Sequence, residues 1–66
     1  MKFPERLALE LKGCKLTQKQ IAQELELDNS NITKWKNGEY LPSLDVFYKL
    51  CKLLDVSADY LLGLVD

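Results

Sequence analysis

Between Leu25 and Asp28 the chain has only Glu26 and Leu27 in which to finish one helical pattern and begin the next. Thr17, with Gln20 three residues on, forms a capping box, and Ile21, Ala22 and Leu25 follow as an inward stripe at helical spacing. Asp28 is a good N-cap, Ile32 and Trp35 fall on one face after it, and Asn37-Gly38 is a stop. The pattern predicts a second helix over about 17–25 and a third over about 28–36. Helices joined by about three residues must cross steeply, at roughly 90–120°. The rest of the chain has to pack around that crossing.

Three further helices fit the remaining sequence. The first runs from about Pro4 to Lys12, with proline in its first turn, Leu7, Ala8 and Leu11 on one face, Phe3 beside that face, and Gly13 as its stop. Glu39 to Pro42 reads as a loop, because proline disfavours helix in the residue before it. Ser43 then caps a fourth helix whose inward residues are Leu44, Phe47, Leu50, Cys51 and Leu54. Ser57 caps a fifth, with Asp59 in its first turn, Tyr60, Leu61 and Leu62 as apolar mass, and Gly63 at its end. No strand pattern competes. The expectation is an all-α, compact five-helix bundle forming one domain over residues 1–66.

A chain of 66 residues buries only about 60% of its unfolded surface, which leaves no room for a second domain or an enclosed substrate cavity. With no histidine, and Cys14 and Cys51 as the only cysteines, the usual zinc ligand sets and histidine-dependent catalysis are absent. The two thiols are expected to be free, and neither receives a function. No cofactor and no small-molecule substrate is evident. No apolar run approaches the roughly 20 residues of a membrane span, and the N-terminal residues lack the core of a signal peptide, so no membrane partner and a cytoplasmic location are expected.

A net charge of −1 argues weakly against a nucleic-acid partner. Its distribution matters more. Residues 1–38 hold seven basic and five acidic side chains, a balance of +2, whereas residues 39–66 hold two basic and five acidic ones, a balance of −3.

The steep pair of helices is the unit that sets a second helix into the DNA major groove, although short helical turns also occur in many bundles. With Ile32 and Trp35 inward, the third helix turns Asn29, Ser30, Thr33 and Lys34 outward, with Asn37 just beyond; Asn31 lies between the faces. All are polar and none is acidic. Asparagine bonds bidentately to adenine, lysine to guanine, serine to either kind of edge, and the threonine methyl meets a thymine methyl. The plainer reading is that asparagine and serine are common in first turns. Gln18 and Lys19 stand at the start of the second helix, where backbone N–H groups favour phosphate. Lys36 and Asn37 lie at the other end of the pair, with Lys15 nearby. Such contacts position a protein without reading sequence.

Leu16 to Gly38, L-T-Q-K-Q-I-A-Q-E-L-E-L-D-N-S-N-I-T-K-W-K-N-G, closely resembles the Cro/repressor-like, or XRE-type, helix-turn-helix family. Pro42-Ser43-Leu44, Leu50 to Ser57 and Tyr60-Leu61-Leu62-Gly63 look like that family's fourth and fifth helices. The resemblance implies a lambda-repressor-like DNA-binding domain, and members that are mostly sequence-specific repressors binding operators as dimers. It implies base reading at Asn29, Ser30, Thr33 and Lys34, and phosphate contact at Gln18 and Asn37, with Gln18 also able to support a base-reading residue. Two departures stand out. Glu26 occupies a turn position where relatives often have glycine, and Lys36 stands where many have glutamate.

The functional expectation is a transcriptional regulator, a repressor by the family pattern, binding an inverted repeat in double-stranded DNA as a homodimer. Tyr60, Leu61, Leu64 and Val65 are the candidate dimer contacts, since so small a core does not need all of them; alternatively they close the bundle, or the chain is a fragment of a longer regulator. A second functional reading is a protein-interaction module or antitoxin-like adaptor on the same fold. Polar residues on the outer face of the third helix weigh against it, because docking surfaces favour apolar anchors.

Overall fold

The computed structural model describes all 66 residues as five helices: α1 (Phe3–Gly13), α2 (Gln18–Glu24), α3 (Asn29–Lys36), α4 (Leu44–Leu54) and α5 (Ala58–Leu62). None is long and apolar enough to cross a membrane. Isolated helices shorter than about 12–15 residues are marginal in water, and the longest here has 11. Their stability therefore comes from end-capping and from a shared core.

The caps are the ones the sequence indicates. Thr17 Oγ1 accepts from Gln20 N at 3.1 Å while Gln20 Oε1 accepts from Thr17 N at 2.8 Å, closing the capping box of α2. Asp28 Oδ1 accepts from Ser30 N at 2.9 Å, Ser43 Oγ from Val46 N at 3.3 Å, and Ser57 Oγ from Tyr60 N at 3.1 Å. At α1 the economy is different: Lys2 makes no side-chain cap, and Pro4 in the first turn removes one N–H that would need a partner.

The later helices end alike. After α2, Glu26 N donates to Gln23 O at 3.1 Å and Leu27 N to Ala22 O at 2.9 Å, the paired bonds of a Schellman ending. The same pairing recurs at Gly38-Glu39, Asp55-Val56 and Gly63-Leu64. Each ending needs a left-handed residue, and the four have φ of 58° at Glu26, 75° at Gly38, 55° at Asp55 and 82° at Gly63. Gly13 does not follow this pattern. It is the last residue of α1, without a positive φ, and the chain leaves it through an extended Cys14.

Ten residues are buried, all apolar: Phe3, Leu7, Ile21, Ala22, Leu25, Ile32, Trp35, Phe47, Leu50 and Leu61. Every helix supplies at least one. The Phe3 and Phe47 rings meet edge to face, 5.8 Å apart at 71°, joining the start of the chain to α4. The Trp35 indole fills the centre, and its Nε1–H has no acceptor.

Two expected core residues lie outside. Ala8 is exposed, since Leu7 and the half-buried Leu11 suffice to face α1 inward. Leu44 is 83% exposed, because the first turn of α4 overhangs the core that Phe47 and Leu50 enter. With Met1 and Leu41 it rims a groove of about 250 Å3 floored by Phe3, Phe47 and Leu62.

Arg6 fastens the end of the chain to its beginning. Its Nη1 donates to the carbonyls of Tyr60, at 2.7 Å, and Val65, and its guanidinium stacks 4.7 Å from the Tyr60 ring centroid. Beside it, a Cβ on Gly63 would stand 2.9 Å from Lys2 Cβ. Gly63→Ala is accordingly expected to destabilise by more than about 1 kcal/mol, through both backbone strain and this collision. Glu26→Gly, which relieves strain at an exposed site, is expected to stabilise by roughly 0.5–1 kcal/mol. Urea unfolding followed by Trp35 fluorescence measures both.

Candidate nucleic-acid interface

At about 100° per residue, burial of Ile32 and Trp35 sets the direction in which α3 faces the core. Asn31 and Lys36 flank that direction and are half-buried; Asn29, Ser30, Thr33, Lys34 and Asn37 point away and are exposed. The outward set expected from the sequence is therefore brought together on one face. Lys19 is exposed and Gln18 half-buried at the start of α2.

Gln18 joins the two helices. Its Nε2 donates to Thr33 Oγ1 at 2.8 Å and to the Asn29 carbonyl at 3.2 Å. A backbone carbonyl can only accept, so the amide nitrogen of Gln18 must face α3. One edge of the exposed face is thus held by a side chain from the neighbouring helix. The other edge is held by Tyr40, from the loop after α3: its hydroxyl hydrogen-bonds Asn31 Oδ1, and Lys34 Nζ lies 5.6 Å from its ring centroid. Sequence reasoning passed over Tyr40. The available signal was an aromatic residue in a short polar loop directly after the helix stop.

Acidic groups border the face at both ends. Asp28 caps α3, and the Ser30 backbone N–H holds its carboxyl below the ordinary carboxylate range, helped by the Ser30 hydroxyl and the charge of Lys34. Glu39, in the loop, accepts from Asn37 Nδ2 at 3.5 Å. The polar face itself contains no carboxylate, but Asn37 shares its amide with one.

The proposed dimer residues separate. Leu61 is wholly buried and closes the core, which removes it as a contact. Tyr60 is half-buried under Arg6, whereas Leu64 and Val65 remain 71% and 50% exposed.

Asp28 carries a pH prediction. Because its folded pKa is lowered, its contribution to stability is complete above the unfolded carboxylate pKa and is lost as pH falls through the lower, folded value. Asp28→Asn, which keeps a good N-cap, is expected to leave stability near neutral pH almost unchanged and to flatten its decline in acid. Thermal melts across the acid range test this.

A family model described as "Helix-turn-helix domain" matches residues 5–66. The chain is 36% identical over 63 residues to the cryptic phage CTXphi transcriptional repressor RstR of Vibrio cholerae serotype O1, covering 96% of this chain and 56% of that protein. It is 37% identical over 64 residues to YobD of Bacillus subtilis (strain 168), an uncharacterized HTH-type transcriptional regulator, covering 97% and 57% respectively. It is also 34% identical over 63 residues to the HTH-type transcriptional activator BcrR of Enterococcus faecalis, covering 96% and 31%. The chain spans about half the length of the first two and under a third of the last.

Proposed function

Because the chain belongs to the XRE-type helix-turn-helix family of DNA-binding transcriptional regulators, we propose that residues 1–66 are a single sequence-reading domain that represses transcription from an inverted-repeat operator. The observation that carries this reading is the exposed, carboxylate-free face of α3, anchored from behind by Ile32 and Trp35. In the proposed complex α3 enters the major groove. Asn29, Ser30, Thr33 and Lys34 read base edges, each offering the donors, acceptors or methyl groups that edges require. Lys19, Lys36 and Asn37 contact phosphates with their side chains, and Gln18, whose amide protons go to Thr33 and Asn29, does so through its backbone N–H at the start of α2, which sets register. RstR, a repressor by name, supports repression as the direction of control.

The domain measures 29 × 24 × 22 Å between Cα atoms. That size suits one half-site per protomer, with half-site centres one helical turn, about 34 Å, apart. The proposed homodimer uses Leu64 and Val65 beside Tyr60, the exposed apolar end that the Arg6 latch holds in place. Location in the cytoplasm, where DNA is available, belongs to the same reading.

Selection from a random duplex pool, followed by titration of the winner against a scrambled control at fixed salt, tests the function. Enrichment of an inverted repeat supports it; a folded protein that enriches nothing favours a protein-interaction module instead. Lys34→Ala is expected to alter base preference or abolish specific binding. Lys36→Ala is expected to weaken all sequences alike and lower the salt slope by about one. Glu39→Gln, which removes the carboxylate beside Asn37, is expected to strengthen binding to every duplex by up to about fivefold.

A further inference from the structure

Tyr40 is 43% exposed and contributes nothing to the buried core, yet it is held at two points. Its hydroxyl lies in hydrogen-bonding range of Asn31 Oδ1. Asn31 Nδ2 in turn donates to the Asp28 carbonyl at 3.3 Å. That carbonyl can only accept, so the Asn31 amide is oriented with its oxygen toward Tyr40, and the tyrosine hydroxyl must be the donor. The ring beside this bond carries the Lys34 ammonium over its face, at 5.6 Å from the centroid. Asn31 and Lys34, three residues apart on α3, are neighbours on one side of the helix. A single aromatic ring closes over both, locked by one and stacked on by the other.

From this geometry we infer that Tyr40 is a positioning residue for Lys34, restricting the lysine to the edge of the α3 face before any duplex arrives. The inference rests on the base-reading role proposed for Lys34. A free lysine has many rotamers to lose on binding, and a side chain already confined in its bound region loses fewer. The hydrogen bond to Asn31 sets the plane of the ring, and the ring sets the ammonium. Tyr40 thereby acts on sequence discrimination without touching a base.

The test compares wild type, Tyr40→Phe, Tyr40→Ala, Lys34→Ala and the Tyr40→Ala/Lys34→Ala double variant on the duplex selected by wild type and on its single-base substitutions. Tyr40→Ala is expected to reduce discrimination at the base pair read by Lys34 by about two- to fivefold, the range of an exposed cation–π contact. Tyr40→Phe, which keeps the ring, is expected to retain more of the preference. The double variant is expected to be no worse than Lys34→Ala. In the unbound protein, the Lys34 Hε proton resonances are expected to lie upfield in wild type and to lose that ring-current shift in Tyr40→Ala, whose circular dichroism and melting stay those of a folded domain. An unchanged base profile in Tyr40→Ala, equal loss on all sequences, additive losses in the double variant, or no ring-current shift in wild type overturns the positioning role while leaving base reading by α3 intact. If wild type enriches no duplex, base reading fails and the positioning role falls with it.

Discussion

The reversal at Glu26 is the constraint on which the putting-together of α2 and α3 depends. A glutamate is held there at φ 58°, a conformation that costs an ordinary side chain roughly 1–2 kcal/mol. The cost is sustained because the alternatives lose more. Glu26 N and Leu27 N close the carbonyls of Gln23 and Ala22 that would otherwise end the helix unpaired. Ala22, Leu25, Ile32 and Trp35 are all buried around the turn, so opening it would return a large part of the core to water. Moving Asp28 away from its place would also carry Thr33 out of reach of Gln18. The turn thus sets, in one step, where α3 starts and which of its sides is exposed.

Much of this architecture was legible because its determinants are local. The side chains of Thr17, Asp28, Ser43 and Ser57 bond N–H groups two or three residues away, so sequence spacing alone identifies them as caps. The outward set on α3 was legible for a related reason: two large apolar residues settle a helix's rotation. Less visible were features set by distant parts of the chain. Leu44 obeys the apolar period of α4, but periodicity does not say how far a helix extends past the core it faces. Leu61 looked like surplus surface only because the burial capacity of α1 and α4 cannot be read from composition. Asp55 adopts a left-handed conformation that aspartate tolerates, without the glycine that usually announces one. Tyr40 reaches back nine residues to Asn31 through the loop after α3, and no spacing rule encodes such a return.

Local charge matters more to this surface than the sum over the chain. Asp28 and Glu39, which border α3, are already engaged, the first with the N–H of Ser30 and the second with the amide of Asn37. Asp28 precedes the helix and Glu39 follows it, so neither stands among the outward residues from Asn29 to Lys34. A chain of net charge −1 therefore presents, along that stretch, amides, hydroxyls and an ammonium. The other eight carboxylates divide evenly, with Glu5, Glu10, Glu24 and Glu26 before α3 and Asp45, Asp55, Asp59 and Asp66 after Glu39.

The bond between Gln18 and Thr33 also fixes a polarity. A threonine hydroxyl has one proton to give and lone pairs to receive, and here Oγ1 already receives from the Gln18 amide. Its own proton remains free. Under the proposed reading of bases by α3, Thr33 is biased toward giving a hydrogen bond, to a purine N7, a guanine or thymine carbonyl or a phosphate oxygen, while one lone pair stays open to an exocyclic amine. A glutamine on one helix in this way biases what a threonine on the next can offer a partner.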